Sequence, residues 1–346
     1  MPNDTWSYII SYSYSHKMEI KQYAPVLIPT LNRYTHFRNC LESLEKCTGA
    51  EKTDVYIALD YPPSDKYTEG WKKINEYLKG KEQSNKFAKL VVIRRNHNFG
   101  VGGPNGNLSQ LKNQIKGQYD RYILSEDDNI FSQNFLEYIN KGLELYKDDM
   151  RILQVCGYNY HMDFPKSYKN NFYFSRSGSP WGYGTWTNRE TIISKYKSLQ
   201  KMGQLLKDED AVRLLKKERP STLVSMINML KNHSLYGDSI TGCVVTLEDM
   251  YYLMPVVSKV RNTGADGTGV HATSRSKKII DFFLNQKIDD STTFDFTDDI
   301  FTTKPINVLE EQMPVSTVKE FYKKMVFHID YFLWRNFSFV PKSKYI

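Results

Sequence analysis

Arg121-Tyr-Ile-Leu-Ser-Glu-Asp-Asp128 is the stretch whose reading decides the fold. Residues 121–125 read as a short buried strand that runs directly into three carboxylates, Glu126, Asp127 and Asp128. Like charges packed at the mouth of a buried strand cost stability unless a cation is near. Hard oxygen ligands suit Mg²⁺ or Mn²⁺, which keep several waters and take one or two carboxylates together with phosphate oxygens. The competing reading makes the triplet the acidic first turn of a helix over residues 129–146, satisfied by the helix dipole.

Upstream, the chain alternates strand and helix. Residues 24–29, 54–60 and 89–95 read as strands, the last around the continuous run Leu90-Val91-Val92-Ile93. Between them Phe37, Cys40, Leu41 and Leu44, then Trp71, Ile74 and Leu78, recur at helical spacing. A Gly/Asn-rich turn and a helix carrying Leu108, Leu111 and Ile115 lead back to the acidic strand. This alternation predicts an α/β fold, a mostly parallel central sheet flanked by helices. Ligands of such sheets sit outside the carboxyl ends of the strands, so Thr30, Asp60, Asn96 and the triplet are expected around one crevice.

Downstream the alternation loosens into a strand at residues 152–156, a Gly/Trp/Tyr loop at 178–187, charge-rich helical sequence and a helix over 239–250. No internal repeat or low-complexity linker interrupts it, which favours one continuous domain. The expected division is a poorly ordered segment 1–22, in which Met18 is a second candidate start, and a catalytic domain 23–275 with a nucleotide half (23–150) and an acceptor half (151–275). A mainly helical C-terminal extension, 276–346, follows.

The chain has 346 residues, 40% hydrophobic and 25% charged, an ordinary globular balance. Aromatic residues make up 14% and suit sugar stacking or a core equally well. The net charge of +8 favours anionic partners, but no basic run or nucleic-acid motif accompanies it, so nucleic acid is not an expected partner. Cys40, Cys47, Cys156 and Cys243 lack metal-type pairing. The first two share a predicted helix at a separation of roughly 10 Å, too far for a disulfide, and buried thiols in a reducing compartment are expected. No run reaches the roughly 18 to 20 apolar residues of a membrane span and no secretory signal opens the chain. The expected location is cytoplasmic. Residues 317–337 place Val318, Phe321, Tyr322, Met325, Ile329, Phe332 and Leu333 near one helix face, with lysines close by. An interfacial membrane helix and a helix packed on its own domain both fit that pattern.

Several motifs together carry a resemblance. Pro25-Val-Leu-Ile-Pro-Thr-Leu-Asn-Arg33, Asp60, Asn96-His-Asn-Phe-Gly-Val-Gly-Gly103 and Ser125-Glu-Asp-Asp128 are similar, in order and spacing, to the GT-A glycosyltransferases of the bacterial family-2-like kind. The triplet also resembles that of the N-acetylglucosaminyltransferase I type. The likeness continues through Trp181-Gly-Tyr-Gly-Thr-Trp186, Tyr236-Gly-Asp238 and Asn262-Thr-Gly-Ala-Asp-Gly-Thr-Gly-Val-His271, and so covers residues 23–275.

The resemblance implies the GT-A (nucleotide-diphospho-sugar transferase) fold and transfer of a sugar from a nucleoside diphosphate sugar, a UDP-sugar foremost. The acceptor is a hydroxyl of a glycan or lipid-linked glycan, and the anomeric centre inverts. It implies that Pro29, Thr30 and Arg33 border the nucleotide, that Asp60 contacts base or ribose, that Glu126 and Asp127 lie by the donor, with Asp127 nearest its sugar, and that Asp128 ligates Mn²⁺ or Mg²⁺. His271 completes the metal site.

Local chemistry agrees with these assignments without compelling them. A strand-end carboxylate at Asp60 can accept from a base N–H or a ribose hydroxyl. Asn98, Gly100 and Gly103 lie on a loop whose backbone N–H groups can approach a ligand without Cβ obstruction, although glycine-rich turns are often only turns. Asp238 is the candidate general base for the acceptor hydroxyl; a helix N-cap is its alternative role. A neutral imidazole at His271 can ligate Mn²⁺. Trp181, Gly182, Tyr183 and Trp186 form a candidate loop over donor and acceptor that excludes water, with core packing of the tryptophans as the alternative. A sugar nucleotidyltransferase is the enzymatic rival, but Pro-Thr-Leu-Asn-Arg stands where its glycine-rich basic loop is expected. A glycan- or nucleotide-binding module without turnover is the non-enzymatic one.

Overall fold

The computed structural model describes residues 20, 22–103, 105–160, 164, 166–268, 277–290, 294–296 and 317–341. The apolar run Val26–Thr30 forms β1, flanked on one side by β2 (Asp54–Leu59) and on the other by β4 (Arg121–Leu124), with β3 (Lys89–Arg94) outside β2. All four are parallel, in register Ile28 to Ile57 and Val26 to Ile123. Side chains alternate across this pleat. Val26, Ile28, Val55, Ile57 and Ile123 face α1 (Tyr34–Leu44), α2 (Thr68–Gln83) and α4 (Phe135–Leu145), while Leu27, Tyr56, Ala58, Tyr122 and Leu124 face α3 (Asn107–Ile115). Both faces are therefore buried, which is why these strands read as continuous apolar runs.

Pro29 is tolerated in a central strand because of where its missing N–H points. Pro25 and Leu27 offer their carbonyls to Ile123 and Ser125, so alternate residues of β1 face β4. Pro29 shares that side but lies past the last β1–β4 pair, where no ladder bond is lost.

The sheet continues beyond β4 with β8 (Tyr183–Trp186), β6 (Ile152–Cys156), β9 (Tyr251–Pro255) and β7 (Phe172–Ser175), in the order β3-β2-β1-β4-β8-β6-β9-β7. Only β8 and β7 run antiparallel to the rest. Helices α5 (Thr187–Ser194), α6 (Leu199–Leu205), α7 (Glu209–Glu218), α8 (Pro220–Asn232) and α9 (Gly237–Leu247) follow β8. They build a second core against Leu153, Cys156, Tyr173, Tyr252 and Met254. The mostly parallel sheet flanked by helices is the α/β architecture expected.

Two local expectations fail. Residues 129–131 are not helical: Asn129–Phe131 is a strand, β5, paired antiparallel with β10 (Val260–Asn262), and α4 begins only at Phe135. The acidic triplet thus lies in a turn between two strands, and the helix-dipole reading does not apply to it. The segment read as a loop at 178–187 contains β8, a strand in the middle of the sheet. The segment's three glycines, Gly178, Gly182 and Gly184, among its large aromatics hide the strand pattern.

Helix α10 (Lys277–Leu284) leads to a strap whose Phe296 stacks on Phe172, ring centroids 4.6 Å apart. Helix α11 (Thr317–Phe337) packs Phe327, Tyr331 and Trp334 on the second core, as one of the two readings of that segment required. All four cysteines are buried and unbridged. Among the described residues no helix is long and apolar enough to cross a membrane.

Candidate donor and metal site

The parallel strands deliver Thr30, Asp60 and the acidic triplet to one end of the sheet. Asp127 and Asp128 are almost fully buried, at 7% and 5% exposure. Thr30 donates its hydroxyl to Asp127 Oδ2 at 2.8 Å, and the Arg33 guanidinium binds Asp127 Oδ1. Arg33 Nη2 also lies 2.8 Å from Asp128 Oδ2, so one cation bridges both carboxylates. Its other terminal nitrogen, Nη1, is buried with no hydrogen-bond partner.

The β10 segment closes over Asp128 from the opposite side. Asn262 Nδ2 donates to Asp128 Oδ1 at 2.6 Å, and the Thr263 N–H and hydroxyl both donate to the Asp128 carbonyl at 2.8 Å. A Cβ on Gly264 would stand 2.0 Å from Asp128 Oδ2, so only glycine fits there. Further along, His36 Nε2 lies 3.1 Å from Asp266 Oδ2 and fastens this segment to α1.

Charge is concentrated in this crevice. Burial, Asp128 and Asp127 push the Glu126 carboxyl up to about 8, with Arg33 pulling against them and Asp238 adding to them. Burial also raises Asp127, although Arg33 and Thr30 oppose it. Burial disfavours the charge on Arg33, but Asp127 and Asp128 more than compensate and its pKa is raised.

Asp238 sits in the first turn of α9, exposed, and its charge reaches Glu126, Tyr160, Tyr183 and Tyr252. The N-cap position belongs to Tyr236, with no side-chain cap, so the capping role weighed for Asp238 is not the one it has.

Asp60 is engaged by the loop that follows β3. Its Oδ1 accepts the N–H groups of Tyr61 (3.0 Å) and Phe99 (2.9 Å), and its Oδ2 accepts Gly100 N–H (2.9 Å) and Asn98 Nδ2 (3.2 Å). Those bonds occupy the roughly four acceptor sites of a carboxylate, so Asp60 holds the 96–100 loop. Asn98 also donates to the Tyr61 carbonyl at 2.6 Å. Gly100, Gly102 and Gly103 all take positive φ, +71°, +82° and +71°, a run of left-handed backbone that side chains rarely adopt.

The aromatic loop divides. Trp186 is 3% exposed on β8 and donates Nε1–H to the Leu143 carbonyl at 3.1 Å, so it is core and presents no face to a substrate. Tyr183 opens the same strand, beside Leu124 of β4. Gly182 takes φ +67° just before it. Trp181 is half-buried, edge-on to Tyr158 (4.6 Å) and Phe283 (5.7 Å). His271 lies outside the described residues.

The donor set fits a divalent ion of the Mg²⁺ or Mn²⁺ kind in one respect. Asp127 and Asp128 are hard carboxylates held next to each other, and such ions need only one or two of these with phosphate and water. Among the described residues no group of three or more His, Cys, Asp or Glu side chains converges. Arg33 holds the position of counter-charge between the two carboxylates. Its bridging role, and the clamp made by Asn262, Thr263 and Gly264, were not readable from sequence, because nothing in a short polar strand says that it will pair 134 residues upstream. A separate groove of about 620 Å³ beside Lys46, Lys86, Phe131 and Asp290 shares no residue with this crevice.

A crevice at the carboxyl ends of the strands, lined with buried carboxylates, is where ligands of such α/β sheets bind. No protein-family model matches the chain, and no curated protein matches it. Solved structures do. S. aureus TarS 1-349 is 14% identical over 91% of this chain and 81% of its own, with a TM-score of 0.41. TarS 1-349 in complex with UDP-GlcNAc is 18% identical over 50% of this chain and 47% of its own, TM-score 0.33. The mannosyltransferase PcManGT from Pyrobaculum calidifontis, in complex with GDP-Man and Mn²⁺, is 10% identical over 50% and 46%, TM-score 0.32. The aligned parts span 30% of a longer TarS structure and under half of the two complexes. Likeness at this level assigns no residue and no activity to the chain.

Proposed function

We propose that the chain is a GT-A glycosyltransferase that moves a sugar from a nucleoside diphosphate sugar, a UDP-sugar foremost, to a hydroxyl of a glycan or lipid-linked glycan. The observation that carries this reading is the juxtaposition of Asp127 and Asp128 with Thr30 and Arg33 on one side and the Asn262–Gly264 clamp on the other. Two buried carboxylates, Asp127 and Asp128, kept together at the strand ends with a single guanidinium between them, form a place where added positive charge is stabilising.

In this reading Asp128 holds the divalent ion, with His271 as a second ligand. The ion, when bound, neutralises the charge of the diphosphate leaving group. Arg33 borders the phosphates, and Asp127 and Glu126 accept from the donor sugar hydroxyls. The 96–103 loop, fixed by Asp60, lines the nucleotide with backbone N–H groups, next to Pro29 and Thr30. Asp238 takes the proton of the acceptor hydroxyl as that oxygen bonds to the anomeric carbon and the bond to the diphosphate breaks. Attack from the face opposite the leaving group inverts the anomeric centre. Trp181 borders the donor from the β8 side. The four buried thiols suit a reducing compartment.

The test is thermal unfolding against UDP, GDP, CMP and dTDP, each with and without Mn²⁺, in wild type and Asp128→Ala. Stabilisation by one nucleotide that needs Mn²⁺ and vanishes in the variant supports the donor site and names the base. No shift with any nucleotide overturns it. Asp238→Asn should keep the nucleotide shift and lose transfer by about 10²-fold or more.

A further inference from the structure

Helix α11 carries apolar side chains on two opposite sides. The inner side places Phe327, Tyr331 and Trp334 on the second core. Trp334 donates Nε1–H to the Gly203 carbonyl at 2.9 Å, against a residue where any Cβ would meet its ring at 2.3 Å. Asp330 pairs with Lys231 where both side chains are about 5% exposed. These contacts fix the rotation of the helix, because turning it would strand a buried lysine.

The side left outward is also apolar. Met325, Ile329 and Phe332 recur at spacings of four and three, one stripe along the helix; Phe337 lies at its end with its ring centroid 6.3 Å from that of Phe332, and Phe339 follows just beyond the helix. They are 43%, 51%, 59%, 67% and 58% exposed, five of the eleven large apolar side chains that are exposed among the described residues. A contiguous patch of this kind marks an interaction surface.

Charge selects the partner. Residues 317–346 contain six Lys and Arg against Glu320 and Asp330, which is half of the chain's net charge of +8. Asp330 is paired inside with Lys231 and Arg335 pairs with Glu209, which leaves five lysines of the segment against Glu320. A second copy docked through the same face would bring two such basic segments together, whereas an anionic lipid surface complements both the stripe and its charge. We propose that the outer face of α11 seats the chain on an anionic lipid surface, with the Met325–Ile329–Phe332 stripe and Phe337 and Phe339 in the headgroup region. The helix lies along the surface and does not cross it.

This inference does not depend on the transfer reading, since it is measured without nucleotide. The full chain is floated with vesicles of phosphatidylcholine alone and of phosphatidylcholine mixed with phosphatidylglycerol. The expected result is binding to the mixed vesicles, weakened by added salt, and reduced about tenfold in Ile329→Glu/Phe332→Glu with thermal unfolding unchanged. If that variant fails to fold, Phe337→Ser/Phe339→Ser is read in its place. Equal flotation of wild type and variant overturns the proposal, as does flotation with neither vesicle. A dimer in sedimentation that the same variant abolishes, without vesicle binding, gives the face to a second copy and also overturns it.

Discussion

Asn262 Nδ2 lies 2.6 Å from Asp128 Oδ1, a contact that closes 134 residues of chain onto one buried carboxylate. The same side chain accepts the Gly264 N–H at 3.0 Å, so one amide orients the carboxylate and also shapes the turn pressed against it. The geometry explains why β5 and β10 exist at all. A two-stranded ladder pairing Asn129 with Asn262 brings the residue after Asp128 and the residue before Thr263 into register.

Asn262→Ala removes both of these bonds and a third to Asn129 Oδ1, and leaves the Gly264 N–H without that partner. The cost expected is about 1–3 kcal/mol, read as a lower urea midpoint with unchanged m. The metal-dependent nucleotide shift should fall as well, because Asp128 loses its orientation. A variant with wild-type stability and a wild-type shift would show that the clamp has no part in the site.

Arg33 makes a sharper test of the place of a cation. Without it, Asp127 and Asp128, both largely buried, face each other with no counter-charge. Arg33→Ala should unfold about 3 kcal/mol more easily in EDTA, and Mn²⁺ alone should stabilise it more than it stabilises wild type. An equal Mn²⁺ effect in both proteins would mean that guanidinium and ion do not share the carboxylates.

Asp60→Asn keeps the shape of the side chain but turns one acceptor oxygen into a donor facing N–H groups. The loop from Asn96 to Gly103 should loosen while the sheet stays intact. Hydrogen exchange at the Phe99 and Gly100 amides is the measurement, with protection expected to drop about tenfold or more. Unchanged protection would return Asp60 to the role of a free nucleotide ligand.

Most of the parallel half was legible because its strands are buried on both faces and its helices keep a 3.6-residue period, as Phe37, Leu41 and Leu44 show. Strand β8 was not, since Tyr183-Gly-Thr-Trp carries no apolar run and owes its place to β4 and β6 on either side. The convergence of Thr30 and the triplet followed from strand direction alone. The bonds from Asp60 to the 96–100 loop did not, because which groups a strand-end carboxylate meets depends on where the next loop folds back. Arg33 was placed beside the nucleotide by resemblance, while its bridge between two carboxylates depends on side-chain reach.

Stability against acid should depend on Glu190, away from the crevice. Lys112 Nζ lies 2.7 Å from Glu190 Oε1, Lys197 is 3.4 Å from Oε2, and the Tyr122 hydroxyl donates to the same carboxylate. Burial alone would raise Glu190, but Lys112 and Lys197 outweigh it and hold the carboxyl down at about 2. On Lys112 the balance goes the other way, and burial lowers its pKa in spite of the pair. A folded pKa below the unfolded one contributes stability that is present above about 4.3 and is lost as pH falls toward 2. The penalty at Lys112 reduces the net value, so up to about 2 kcal/mol is expected at neutral pH. Glu190→Gln should therefore be less stable than wild type at pH ~7 and approach it as pH falls from ~5 to ~2. A difference between the two proteins that stays constant over that range would show that Glu190 acts by packing and not by its charge.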